Sequence, residues 1–86
     1  EKPDMKTFYG LRLAYEAGTV GGSLPTVFNA ANERAVSKFL ARKIRYPQIT
    51  EIIQECMRNH PTRKEPTLDE ILEIEQETYE FIESRW

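Results

Sequence analysis

Cysteine, histidine and tryptophan each occur once in the 86 residues, glycine occurs four times and proline five, and no apolar run exceeds three residues. Each shortage excludes something. The single thiol, Cys56, can close no internal disulfide and cannot build a cysteine-rich zinc site; with Ile52, Ile53 and Met57 around it, simple burial is expected. The single histidine, His60, sits between Asn59 and Pro61 with no serine or cysteine arrangement that reads as nucleophile and base, so it is expected to be a loop histidine. Apolar runs this short cannot span a bilayer. Glu1-Lys2-Pro3-Asp4 lacks the apolar stretch of a signal or transit peptide, and a soluble, intracellular chain is expected. With 40% hydrophobic and 30% charged residues, the composition is that of a folded helical protein and excludes disorder and low complexity. The length fits one small domain, residues 1–86, and excludes a multidomain enzyme.

The charge is unevenly spread. Residues 1–64 carry eleven Lys/Arg against six Asp/Glu, a balance of +5, while residues 65–86 carry one against eight, or −7. Opposite fields of this size favour folding the acidic end onto the basic part. Neither sign alone then implies a nucleic-acid or membrane partner.

Hydrophobic spacing predicts four helices and no strand. The first runs from Tyr9 to Ala17, with Leu11, Ala14 and Tyr15 at helical spacing and Gly18 as its stop. Gly18-Thr19-Val20-Gly21-Gly22-Ser23 reads as a loop whose Ser23 caps a second helix, Leu24 to Arg42, with Pro25 in the first turn. After Tyr46-Pro47, the stripe Ile49, Ile52, Ile53, Cys56 and Met57 marks a third helix to Arg58. A polar link over residues 59–66 leads to Thr67-Leu68-Asp69-Glu70, a capping box that opens a fourth helix reaching close to the C-terminus. The expected fold class is all-α, a small four-helix bundle or array around a buried second helix.

On the second helix, Leu24, Val27, Phe28, Ala31, Ala35, Val36, Phe39 and Leu40 cover an arc too wide for a surface helix. Asn29 and Asn32 fall inside that arc and Glu33 at its edge. Buried amides need partners, so these residues are expected to form a structural polar network, with a ligand contact or docking to another domain as the alternatives. On the fourth helix, Leu68, Ile71, Leu72, Tyr79, Ile82 and Trp86 are expected to be buried. Glu75 projects to the middle of that face as a further network member, paired with an arginine or hydroxyl or placed where the bundle opens. Ile74 and Phe81 lie outside that face as a strip able to touch something beyond the chain. Glu70, Glu73, Glu77 and Glu80 read as a solvated acidic side, since no Glu-x-x-His pair accompanies them.

The remaining motifs carry little chemistry. The glycine-rich loop could offer N–H groups to an anion, but it follows a helix and lacks the lysine of a P-loop, and a turn is expected. Lys38, Arg42, Lys43 and Arg45 surround a helix-turn-helix-like junction. The third helix would present Glu51 and Glu55 to phosphate, which argues against DNA. The residues themselves assign no catalytic, cofactor-binding or metal-binding side chain.

Leu11-Arg12-Leu13-Ala14-Tyr15-Glu16-Ala17, Gly21-Gly22-Ser23-Leu24-Pro25-Thr26-Val27, Asn29-Ala30-Ala31-Asn32-Glu33-Arg34-Ala35-Val36 and Phe39-Leu40 together resemble the C-terminal domain of the 1-deoxy-D-xylulose 5-phosphate reductoisomerase family. Pro3-Asp4, Phe8 and the run Leu68 to Glu75 extend the resemblance over nearly the whole chain, most densely from Leu11 to Ile49. Glu75 departs from it, standing where the family favours Asp. The resemblance implies a parent enzyme that uses NADPH and a divalent metal (Mg, Mn or Co) to convert 1-deoxy-D-xylulose 5-phosphate to 2-C-methyl-D-erythritol 4-phosphate in the non-mevalonate route to isoprenoids. It also implies a homodimeric parent in the bacterial cytoplasm or a plastid-type organelle. The nucleotide-binding and catalytic motifs of that family do not occur in these residues. The implied role of this segment, an excised domain starting at Glu1, is therefore to pack against and brace the catalytic domain of the same polypeptide, without cofactor of its own. A stand-alone helical interaction module is the alternative.

Overall fold

The computed structural model describes residues 5–86, and side chains from Tyr9 onward. Pro3-Asp4 and the side chain of Phe8 lie outside the described residues. Four helices follow one another: α1 (Met5–Val20), α2 (Leu24–Leu40), α3 (Gln48–Arg58) and α4 (Leu68–Arg85). No strand occurs among the described residues. Helix α2 touches each of the other three, whereas α1 and α4 do not meet among those residues. The all-α bundle with a central second helix is thus the observed architecture.

Helix α1 runs through Gly18, the expected stop, and continues to Val20. An interior glycine costs a helix about 1 kcal/mol, but it does not force an end. The end comes where two successive residues take left-handed backbone, Gly21 (φ 73°) and Gly22 (φ 59°), and the Gly21 N–H closes on the Ala17 carbonyl at 2.9 Å.

Helix α2 ends in a paired-carbonyl cap. Lys43 N–H donates to the Lys38 carbonyl and Arg42 N–H to the Phe39 carbonyl, each at 2.9 Å, with Arg42 in left-handed backbone at φ 61°. This is the Schellman arrangement with arginine where glycine is usual. Left-handed backbone costs a residue with a Cβ roughly 1–2 kcal/mol. Arg42 is exposed. Arg42→Gly is therefore expected to stabilise the chain by about 1 kcal/mol, read as a higher midpoint in urea.

The fourth helix opens as its sequence predicts. The Thr67 hydroxyl accepts from Glu70 N–H at 3.2 Å, and the Glu70 carboxylate accepts from Thr67 N–H at 2.8 Å. That backbone donor, with Arg63 beside it, holds Glu70 below the usual carboxylate range.

The core gathers Leu13 and Ala17 of α1, Leu24, Val27, Ala31 and Ala35 of α2, Ile52, Ile53, Cys56 and Met57 of α3, and Ile74 and Ile82 of α4. Cys56 is buried as expected, which pushes its thiol up to about 12 and leaves no reactive thiolate near neutrality. Of the residues expected on the inward face of α4, Ile82 is fully buried and Ile71, Tyr79 and Trp86 are half-buried, but Leu68 and Leu72 are 70% and 55% exposed; Ile74 and Thr78 complete the buried line instead. Thr78 can be buried because its hydroxyl donates to the Ile74 carbonyl at 2.8 Å, so a residue counted as polar has no unmet need there. Phe81, expected on an outer strip with Ile74, packs against the core edge and meets Trp86 edge-on at 6.4 Å.

The basic and acidic parts join along the seam between α2 and α4. Glu83 accepts from Lys38 at 3.0 Å and from Arg34 at 3.2 Å, and the Arg34 guanidinium lies 4.3 Å from the centre of the Tyr79 ring. Lys38 itself is buried, its stem against the core and its ammonium at the seam.

Candidate functional site

The polar residues singled out in the sequence do not form one network. Asn29 and Asn32 are exposed, which corrects the expectation of buried amides. Glu33 is also exposed, but its carboxylate accepts from the Tyr79 hydroxyl at 2.6 Å. Glu75 is half-buried one turn before Tyr79 on the same flank of α4, and no hydrogen bond reaches its carboxylate among the described residues. The bond to Glu33 above all, with partial burial and the nearby Glu75 charge, raises the Tyr79 phenol to about 12. Glu33, Tyr79 and Glu75 thus share the α2–α4 seam, away from the two asparagines.

The misplacement has a simple cause. Apolar residues occur almost all round α2, and the widest apolar arc is centred between its two long sides. The bundle instead buries the side rich in small residues, Ala30, Ala31 and Ala35, which lets neighbouring helices approach closely; Lys38 follows them inside. The opposite side, Asn29, Asn32, Val36 and Leu40, faces outward, and Leu40 is 73% exposed.

That outward side borders a groove of about 330 Å³ between α1, α2 and the start of α3, lined by Leu11, Ala14, Phe28, Asn32, Val36 and Ile49 among others. No charged residue lines it. Leu11 and Tyr15, four apart on α1, continue the apolar surface and are 65% and 78% exposed. The surface stands out in a chain that is 30% charged.

A second constellation escaped the sequence reading. Ser23 is fully buried, and its backbone is helical, so it does not cap α2 with its side chain as expected. Its hydroxyl oxygen accepts from Arg63 N–H at 2.8 Å and lies 2.7 Å from Nε2 of His60. Its own N–H donates to the Arg63 carbonyl at 2.8 Å. One serine thereby bolts the 59–66 link onto the loop between α1 and α2. The hydroxyl, with one donor and two acceptor sites, can satisfy both partners at once. Ser23 and His60 stand 37 residues apart in the sequence, so no spacing rule could have paired them.

The Ser23 hydroxyl is fully buried, and both of its partners lie within the 59–66 link. In the glycine loop, the N–H groups of Gly21, Ser23 and Leu24 are bonded to carbonyls of Ala17, Arg63 and Gly21. Burial first, then the neighbouring Arg63, lower the His60 pKa from 6.5, against a smaller opposing effect of Glu77. A lowered histidine pKa gives stability that is fully present above the unfolded value and lost as pH falls through the folded one. Glu70 and Glu83, the latter depressed chiefly by the Lys38 hydrogen bond, behave likewise below 4.5. Acid titration of the chain is expected to lose stability in two stages, the first beginning near pH 6.5 and the second below 4.5. Urea midpoints measured across that range check this, and His60→Gln is expected to remove the first stage alone.

Among the described residues, no group of three or more His, Cys, Asp or Glu side chains could hold a metal ion, and no helix is long and apolar enough to cross a membrane. Comparison with known proteins gives a consistent result. Residues 1–81 match the family model described as DXP reductoisomerase C-terminal domain. The 1-deoxy-D-xylulose 5-phosphate reductoisomerase of Lachnoclostridium phytofermentans is 61% identical over 83 residues, covering 96% of this chain and 21% of the relative. Enzymes of the same name from Agathobacter rectalis and Lachnospira eligens are 52% and 51% identical over 86 residues, covering 100% of this chain and 23% of each relative. The chain therefore spans about a fifth of the length of the curated relatives it matches. No solved structure matches it.

Proposed function

The chain belongs to the family of DXP reductoisomerase C-terminal domains, and from that premise we propose that it braces the catalytic part of its own polypeptide without entering the chemistry. In this reading the whole protein is an oxidoreductase that converts 1-deoxy-D-xylulose 5-phosphate to 2-C-methyl-D-erythritol 4-phosphate, in the non-mevalonate route to isoprenoids. The whole protein would then use NADPH as its reductant and a divalent metal ion. We assign both to other domains of the polypeptide: among the described residues no group of three or more His, Cys, Asp or Glu side chains could hold a metal ion, and the N–H groups of Gly21, Ser23 and Leu24 in the glycine loop are already bonded to carbonyls of the chain. A homodimeric parent in the bacterial cytoplasm or a plastid-type organelle completes the proposal.

The observation that carries the bracing role is the uncharged, exposed surface of α1 and α2, which suits permanent cover by another part of the same molecule. The side chains best placed here for proton transfer are Ser23, His60 and Tyr79. General acid–base groups contribute about 10²–10⁴ in rate. In the full-length enzyme, Ser23→Ala, His60→Gln and Tyr79→Phe are each expected to keep kcat and KM within about twofold, measured well below their melting temperatures. A fall in kcat of about a hundredfold in a folded variant would place that residue in the reaction and end the bracing proposal.

A further inference from the structure

Resting on the bracing proposal, we propose that Asn29 and Asn32, with the adjoining groove between α1, α2 and α3, seat an extended, uncharged segment of the preceding part of the same polypeptide. The groove takes the segment's apolar side chains, and the two carboxamides bond to its main chain.

The chemistry of the surface selects this occupant. A groove without a lysine, arginine or acidic side chain has nothing to offer a phosphate backbone or a lipid headgroup. Asn32 lines the groove together with Tyr46 and Thr50, and Asn29 stands one turn before it on the same side; each carboxamide carries donors and acceptors as a peptide unit does, which suits a partner presenting both N–H and C=O groups. Asn29 and Asn32 lie one helical turn apart on the same outward side as Val36. Their Cβ atoms are then about 5–6 Å apart. Alternate residues of an extended chain repeat at roughly 6.5–7 Å, close enough for both amides to reach the same exposed edge. Asparagine is also a mediocre helix former, so two such residues exposed mid-helix weaken α2 unless a contact uses them.

The choice of the same polypeptide over another molecule follows from connectivity. This segment accounts for only 21–23% of its relatives' length, so nearly four-fifths of the polypeptide is available to cover the groove. In a C-terminal domain that remainder enters through α1, whose Leu11 and Ala14 line the groove. Tethering makes contact with the preceding chain an intramolecular event, favoured over a free partner of equal affinity.

Hydroxyl-radical footprinting of the full-length enzyme tests the proposal, with Leu68 and Leu72, exposed on α4, as internal references. Labelling of Leu11, Phe28 and Tyr46, corrected for intrinsic reactivity, is expected to fall well below that of Leu68 and Leu72. Val36→Glu is expected to raise it to their level, and Asn29→Ala with Asn32→Ala to raise it part of the way. Glu73→Lys, on the opposite acidic side, is expected to leave it unchanged. Groove labelling above that of Leu68 and Leu72, with those two the protected residues, would overturn the groove assignment but leave bracing through α4 intact. No protection on either face would overturn both. Groove protection that disappears on dilution would assign the groove to a second copy of the chain and overturn the proposal.

Discussion

Gly22→Ala is expected to lower the melting temperature of the chain by roughly 15 °C or more, a loss of about 3 kcal/mol or greater. A Cβ on Gly22 would stand 2.1 Å from the Arg63 carbonyl oxygen and 3.1 Å from both the Arg63 carbonyl carbon and Lys64 Cα. All three are backbone atoms, so no side-chain rotation relieves the overlap. The link has to move away, and with it go the Ser23 N–H bond to that carbonyl and the Arg63 and His60 bonds to the Ser23 hydroxyl. Gly21→Ala provides the comparison. Its φ of 73° is just as demanding, but the space around its missing Cβ is open. It should lose only the cost of left-handed backbone, about 1–2 kcal/mol. Equal losses for the two variants would mean that the link does not sit on Gly22. For a domain whose whole stability is of the order of 5–10 kcal/mol, the larger loss leaves little margin.

The second large effect concerns α4. Ile74→Ala and Ile82→Ala are each expected to cost about 2–5 kcal/mol, because both side chains are almost wholly buried and their removal leaves a cavity against α2 and α3. Leu72→Ala removes a side chain that is 55% exposed and is expected to fall within about 0.5 kcal/mol of the parent. Urea unfolding of Ile74→Ala and Leu72→Ala decides between this orientation and the one that buries Leu68 and Leu72, which predicts the reverse ranking of those two; Ile82→Ala is costly in both.

That comparison also shows where sequence reading succeeds and where it fails. Helix α3 has one apolar stripe and a polar remainder, so Ile52, Ile53, Cys56 and Met57 could face only one way, and they do. Thr67 and Glu70 carry their reciprocal bonds within four residues, and the capping box was legible for that reason. The excess of positive charge before residue 65 and of negative charge after it became the Lys38, Arg34 and Glu83 cluster and the Arg63–Glu70 pair.

Helices α2 and α4 were harder because apolar residues occupy more than one side of each. On α2 the choice is settled by close approach of small side chains, a property of the neighbours. On α4 it is settled by a threonine whose hydroxyl bonds to its own helix. The 330 Å³ groove and the exposed asparagines were invisible for the same reason: the apolar residues that line an open groove have the same spacing as those of a core. The bolt made by Ser23, His60 and Arg63 joins segments 37 and 40 residues apart and leaves no periodic trace.

The central claim is that this helical unit is held by the rest of its polypeptide and supports it. The most direct measurement inserts a protease site ahead of residue 1 in the full-length enzyme, cleaves it, and follows both pieces by gel filtration and thermal melting. The account predicts that the two pieces stay together after cleavage, and that stripping away the helical piece lowers the melting temperature of what remains. Pieces that part freely, with the larger one melting as the intact enzyme does, would contradict it.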